Sequence, residues 1–376
     1  MKLKNRKKEK PADIDLHEDH HDHSVLKSVN KMKIVIPILL GLLVVGYLMW
    51  KQFDFDEIRK IDWHFSVFIW SGIAVLVYVL RHLALSWRLV LFSENHFSFR
   101  KAIEVIFIWE FASAVSPTSF GGTAVVTYIL AQEQIKSSKS ITIILYSVVV
   151  DTAFLLLAVI LLFTFAGASI VGPDAVNARE MGNYIYSFIG ILVFMAAYGF
   201  FFFYGLFINP KKIKQAICYL SRIKWLAKYK DTLIQTGDGE IVASHELSHK
   251  KWNYHLNVLL ATAIAWILRF SLINFIIIAL ISGTGMDPYS QLVLFGRNVG
   301  IYVQTAFTPT PGASGFSEIM FGGMYSDFVP IGVALLIALV WRMISYYSYL
   351  FAGVIIVPNW IRKMMKRKKE IRKLKL

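Results

Sequence analysis

The sequence holds a single cysteine, Cys218, among 376 residues, so no internal disulfide framework can staple it together. It is also without a recognisable nucleic-acid reading module, which removes the simplest explanation for a formal charge of +15. The first apolar run, 34–50, has no small-residue cleavage site and follows a long polar tail, so it reads as a retained anchor rather than a removable signal. The most telling shortage is of charge itself. Long stretches carry almost none, and the basic residues collect in three places: Lys2 to Lys33, Lys211 to Lys251 and Arg362 to Lys375. Basic clusters flanking apolar runs mark cytoplasmic segments, and they sit within reach of anionic lipid headgroups.

Between those clusters the composition is 56% hydrophobic, above the roughly 45–50% of ordinary globular chains. The excess lies in runs at 34–50, 65–92, 141–166, 185–208, 255–282 and 330–357, each long enough for a hydrocarbon layer of about 30 Å. The fold class that follows is an all-α polytopic integral membrane protein. The polar segment 1–33 reads as a disordered cytoplasmic tail, 34–358 as the transmembrane domain with a cytoplasmic loop at 209–251, and 359–376 as a basic cytoplasmic tail. Threading the spans so that every basic segment stays on one side leaves Asp54, Asp56, Glu57 and Asp62 outside. Both termini then lie in the cytoplasm, with the chain in the inner (cytoplasmic) membrane.

Two apolar stretches, 102–132 and 291–325, are cut by Pro/Gly clusters into arms of only about 10–16 residues, or roughly 15–24 Å of helix. They read as re-entrant hairpins, or alternatively as tight pairs of short spans. Ser116-Pro117-Thr118-Ser119-Phe120-Gly121-Gly122 breaks the first and Thr308-Pro309-Thr310-Pro311-Gly312-Ala313-Ser314-Gly315 the second. The surroundings correspond as well. Arg81 precedes Pro117 by 36 positions and Arg269 precedes Pro309 by 40, while Asp151 follows the first proline by 34 and Arg342 follows the second by 33. The chain therefore reads as six full spans plus two hairpins in an inverted repeat, with units at about 65–166 and 255–357 joined by the single crossing 185–208. Interrupted segments at matching positions of inverted halves point to a transporter's binding site. Irregular backbone survives in a bilayer only where protein or a water-filled cavity satisfies it, and the second arm of each hairpin offers free N–H groups to an anion such as a lipid phosphate. Thr118, Ser119, Thr123, Ser314 and Ser317 are placed either to cap those ends or to bind the ligand.

These residues carry a resemblance. Over roughly 65–357 the chain resembles the flippase-like transmembrane family represented by the membrane half of lysylphosphatidylglycerol synthase. A Pro-x-x-x-Gly-Gly motif ending in Tyr-x-Leu is matched by Pro117, Gly121, Gly122, Tyr128 and Leu130. A Pro-x-Pro-Gly-Gly-x-Gly-x-x-Glu motif is matched by Pro309, Pro311, Gly312, Gly315 and Glu318. An Arg-x-x-x-Tyr stretch ending in Gly is matched by Arg342, Tyr346 and Gly353, and a mid-span aspartate by Asp151. The chain departs from the pattern at Thr123, Val126, Ser147 and Val148, where charged residues are usual, and at Ala313, where a glycine is. The resemblance implies translocation of a phospholipid or lipid-linked headgroup, anionic or aminoacylated, with no cofactor. The stretch after Asn359-Trp360 is expected to be a basic tail rather than an aminoacyl-transferase domain, so a role in a phosphatidylglycerol lysyltransferase-like enzyme would call for a separate soluble transferase.

Charge inside a span costs at least about 2.5–3.5 kcal/mol. Arg81, Glu110, Asp151, Arg269, Glu318 and Arg342 should therefore face a partner or a polar cavity, the arginines drawing phosphate and Glu318 meeting a cationic group. Arg88 stands nearer a span end, where a long side chain snorkels. His245-Glu246-Leu247-Ser248-His249 matches a zinc-hydrolase pattern with His255 as a third ligand. Trp252 replaces the glycine of the extended pattern, and an amphipathic helix is the better reading. The His17 to His23 tract is a solvated tail segment rather than a cofactor site.

Overall fold

The computed structural model describes residues 64–116, 121–173, 178–220, 241–281, 287–306, 308, 310–313 and 315–374. The segments 1–33 and 34–50, and Pro117, Thr118, Ser119, Pro309 and Ser314, lie outside the described residues. Among those described there is helix and no strand. The order is α1 (Phe65–Phe92), α2 (Phe99–Val115), α3 (Gly121–Gln132), α4 (Ser137–Ala166), α5 (Ala178–Phe207), α6 (Pro210–Leu220), α7 (241–248), α8 (Trp252–Leu280), α9 (Pro288–Thr305), α10 (Phe316–Met324), α11 (Ile331–Arg342) and α12 (Ser348–Leu374). A 3-10 turn at Pro311–Ala313 separates α9 from α10, and a π-helical turn at Met343–Tyr347 joins α11 to α12.

Among the described residues, five helices are long and apolar enough to cross a membrane: Phe65–Phe92, Lys139–Ile170, Ile185–Phe207, Trp252–Leu280 and Val333–Arg367. They fall on the spans expected at 65–92, 141–166, 185–208, 255–282 and 330–357. Large apolar side chains such as Phe68, Leu157, Phe194 and Ile355 are exposed on these helices, which is the surface a lipid environment requires. The chain is a multi-pass membrane protein.

Both interrupted stretches are broken helices. The first arms, α2 and α9, run 17 and 18 residues, longer than the sequence suggests, because each begins at a polar cap outside the apolar run. Ser98 accepts from the Lys101 N–H, and Asp287 accepts from the Ser290 N–H at 2.9 Å with Pro288 following it. The second arms, α3 and α10, have 12 and 9 residues, about 18 and 13 Å of helix, well short of a bilayer core. α2 stops at Ser116, whose extended backbone (ψ 134°) is the conformation that a following proline imposes.

The two runs of elements pack in a reciprocal pattern. α1 and α8 make the most extensive helix–helix contact, and they are antiparallel. Val67 and Ala74 share a core cluster with Ile273, Ile276 and Leu280, whereas Leu85 and Leu89 share another with Val258 and Ala265. α2 packs on α12, and α9 packs on α4, so each broken segment leans on the last long helix of the other run. Close approach of α2 to α12 depends on Gly353, where an added Cβ would lie 2.0 Å from the Phe111 ring.

Candidate functional site

The geometry of the two breaks brings them together. α2 touches the Pro311–Ala313 turn, and Tyr346 bridges both interruptions. Its hydroxyl donates to the Ala114 carbonyl at 3.1 Å, and its ring lies where a Cβ on Gly312 would be, 2.1 Å away. Gly312 has φ +56° and Gly315 has φ +85°, left-handed values that suit glycine. Ala313 is also left-handed, at φ +54°. α10 then starts with Glu318 reaching back, its Oε2 accepting from the Gly315 N–H at 2.7 Å.

Between the breaks lies a cavity of about 370 Å³. Its walls come from α1, α2, α4, α8, α9 and the α11–α12 junction, and they include Arg81, Arg88, Glu110, Asp151, Arg269 and Arg342. Hydroxyl and amide groups of Ser113, Ser116, Asn298, Tyr302, Thr305 and Ser345 complete the polar lining. A small recess lined by Leu85, Leu89, Phe92 and Ile106 continues from Arg88 and Glu110 between α1 and α2.

Most of the charge is paired. Arg81, buried, gives Nη2 to both Glu110 oxygens at 3.1 and 3.2 Å and Nη1 to the hydroxyls of Tyr78 and Tyr349. His82 Nδ1 lies 3.0 Å from the same Tyr349 hydroxyl, which fixes that ring from a second side. Asp151 Oδ1 accepts from Arg88 Nη1 and from Trp266 Nε1, the latter at 2.7 Å. Arg88 therefore does not snorkel. It is buried and also reaches Thr262 of α8 at 3.5 Å. Glu318, 4% exposed, faces Arg342 Nε at 3.1 Å, so the cation it meets is a protein side chain. Arg342 in turn lies 4.1 Å over the Tyr346 ring.

Arg269 is different. Its guanidinium sits 5.5 Å over the Trp266 ring and 5.1 Å over the Tyr302 ring. Among the described residues it has no ion-pair or hydrogen-bond partner, although Glu110 lies within its electrostatic reach. Two aromatic faces hold the cation in place and leave its N–H edge for the cavity.

The structure thus gathers Arg81, Asp151, Arg269, Gly312 and Arg342 on one cavity with Glu318 directly behind it. Gly121 and Gly122 open α3, and Pro311 opens the 3-10 turn. Sequence reasoning passed over Arg297, in α9. It is 1% exposed and donates to Ser169 O and Met324 O at 2.8 Å and to Asp327. It ties the turn after α4 to the end of α10, and a lone arginine in an apolar stretch was the signal available.

The zinc-hydrolase pieces are engaged elsewhere. Glu246 is bound by Lys139 and by Thr142 at 3.1 Å, and His255 Nδ1 lies 2.6 Å from the Tyr146 hydroxyl. The rings of His245 and His249 lie 4.5 Å apart, tilted by 42° to each other. No metal-capable group of three His, Cys, Asp or Glu side chains occurs among the described residues.

The arrangement has relatives. The profile of the family described as lysylphosphatidylglycerol synthase TM region matches residues 34–353. The chain belongs to that family. A UPF0104 membrane protein of Archaeoglobus fulgidus is 24% identical over 335 residues, which cover 86% of this chain and 94% of the relative. No solved structure matches the chain. The lysylphosphatidylglycerol synthase TM region match embraces both broken segments and every charged residue of the cavity.

Proposed function

We propose that the protein translocates a phospholipid or lipid-linked headgroup, holding its phosphate in the cavity between the two broken segments while the surrounding helices expose that cavity alternately to each face. The observation that carries this reading is Arg269, a guanidinium on a polar intramembrane cavity that is flanked by aromatic rings and, among the described residues, makes no direct ion pair. A cation inside a membrane span without a direct ion-pair partner is costly and points to a cavity or a ligand, and the membership of a lipid-synthase membrane family points to lipid as that ligand. The substrate contacts assigned are Arg81, Asp151, Arg269, Gly312 and Arg342, with Glu318 holding Arg342 from behind the cavity, and both termini lie in the cytoplasm of an inner-membrane protein. In proteoliposomes carrying a fluorescent phospholipid, Arg269→Ala should slow headgroup translocation roughly tenfold or more, the equivalent of one charge-assisted contact. Unchanged rates would remove the assigned site.

The family description favours a second reading, a membrane component serving a separate soluble aminoacyl-phospholipid transferase. In that case, purified chain would stimulate such a transferase while showing no translocation of its own.

A further inference from the structure

The charges around the cavity can be counted. Four guanidiniums line it, from Arg81, Arg88, Arg269 and Arg342. Against them stand three carboxylates: Glu110 on Arg81, Asp151 on Arg88, and Glu318 behind Arg342. Four against three leaves a single positive charge among the described residues, and its location is Arg269. The carboxylates are also committed. Both Glu110 oxygens accept from Arg81, and Asp151 takes Arg88 and the Trp266 N–H on one oxygen. Glu318 is spent on the Gly315 N–H and Arg342. An ammonium entering this cavity would have to compete with an arginine for every carboxylate while lying among four like charges. A phosphodiester would meet one uncompensated guanidinium and a wall of hydroxyls.

We infer that the cavity selects a lipid headgroup of one net negative charge that carries hydroxyls and no amine, so that neither a zwitterionic amine headgroup nor an aminoacylated, net-cationic one is its preferred ligand. This rests on the lipid-handling function proposed above. The hydroxyl-bearing residues Ser113, Thr305, Ser345 and Tyr302 provide donors and acceptors for a polyol. A volume of about 370 Å³ suits a headgroup, at the small end of the roughly 300–1,000 Å³ of ligand pockets.

The test is retention of lipid by the purified full chain, read by native mass spectrometry after incorporation into nanodiscs. These would hold equal amounts of phosphatidylglycerol, phosphatidylethanolamine and lysyl-phosphatidylglycerol with matched acyl chains. Phosphatidylglycerol should be retained roughly tenfold over each of the others. Arg269→Gln should abolish that preference, and Arg269→Lys, which keeps the charge, should preserve most of it. Equal or greater retention of either amine lipid by the unaltered protein overturns the headgroup inference and leaves lipid handling standing. Retention of none of the three overturns both. The ratio for the unaltered protein decides the matter even if Arg269→Gln fails to fold.

Discussion

Ala313 lies between Gly312 and Gly315 in a turn where all three have positive φ. A Cβ in left-handed backbone costs about 1–2 kcal/mol, so this alanine is held by its surroundings, including the Ser317 hydroxyl on its carbonyl at 3.0 Å. Ala313→Gly should raise the thermal midpoint of the detergent-solubilised protein. The expected gain is about 0.5–1 kcal/mol, the steric relief less the entropy that glycine restores to the unfolded chain. Gly312→Ala should lower it by about 1–3 kcal/mol, because its Cβ meets both left-handed strain and the Tyr346 ring; equal melts for all three proteins would contradict the turn geometry. Single residues were unevenly legible in advance. Charges within apolar runs announce themselves by cost, which is why Arg81, Asp151, Arg269, Glu318 and Arg342 stood out. Their partners did not, since pairing depends on the relative depth of helices. Arg88 is four residues from the end of α1 and still meets Asp151, fourteen residues into α4.

At the scale of elements, hydropathy located the long helices because length and apolarity are what a bilayer demands. The Pro/Gly clusters located the breaks because they remove N–H donors and admit left-handed backbone. The starts of α2 and α9 were misjudged because Ser98 and Asp287 cap each helix in polar sequence upstream of the apolar run. Which helix leans on which is a matter of surface fit. Gly353, a family-motif position, permits α12 to approach α2, as small residues do between membrane helices. Gly353→Leu should therefore separate the two, costing about 1–3 kcal/mol and reducing translocation. A variant with unaltered melting and transport would show that this contact is dispensable.

For the whole molecule, the basic end is tied across the chain by carboxylates in the turns after α1 and α3. Glu133 receives Lys101 at 2.7 Å and the Trp360 indole, joining the first hairpin to α12. Glu94 receives Lys139 and also Lys250 at 2.6 Å, joining α1, α4 and the start of α8. Burial would raise the Glu94 carboxyl, but the hydrogen bonds from Lys139 and Lys250 outweigh it and hold the group down at about 2. Because the folded protein binds this proton more weakly than the unfolded chain, Glu94 contributes stability above its ordinary value of 4.5. That contribution is lost as pH falls from there toward about 2. Thermal midpoints recorded between pH 7 and pH 3 should hold steady and then decline below about pH 4.5. Glu94→Gln should start lower and decline less; parallel curves for the two proteins would refute the assignment.

The antiparallel pairing of α1 with α8 has a consequence for direction. On the translocation proposed above, two runs of helices paired in opposite directions would offer a headgroup approaching from either face a similar order of elements. Such a scaffold would by itself favour neither face. Bias can come only from positions where the two runs differ in chemistry, and the plainest is the place where one run carries Asp151 and the other Arg342. On the translocation proposed above, the opposed charges at that paired position would supply a rectification that the architecture does not.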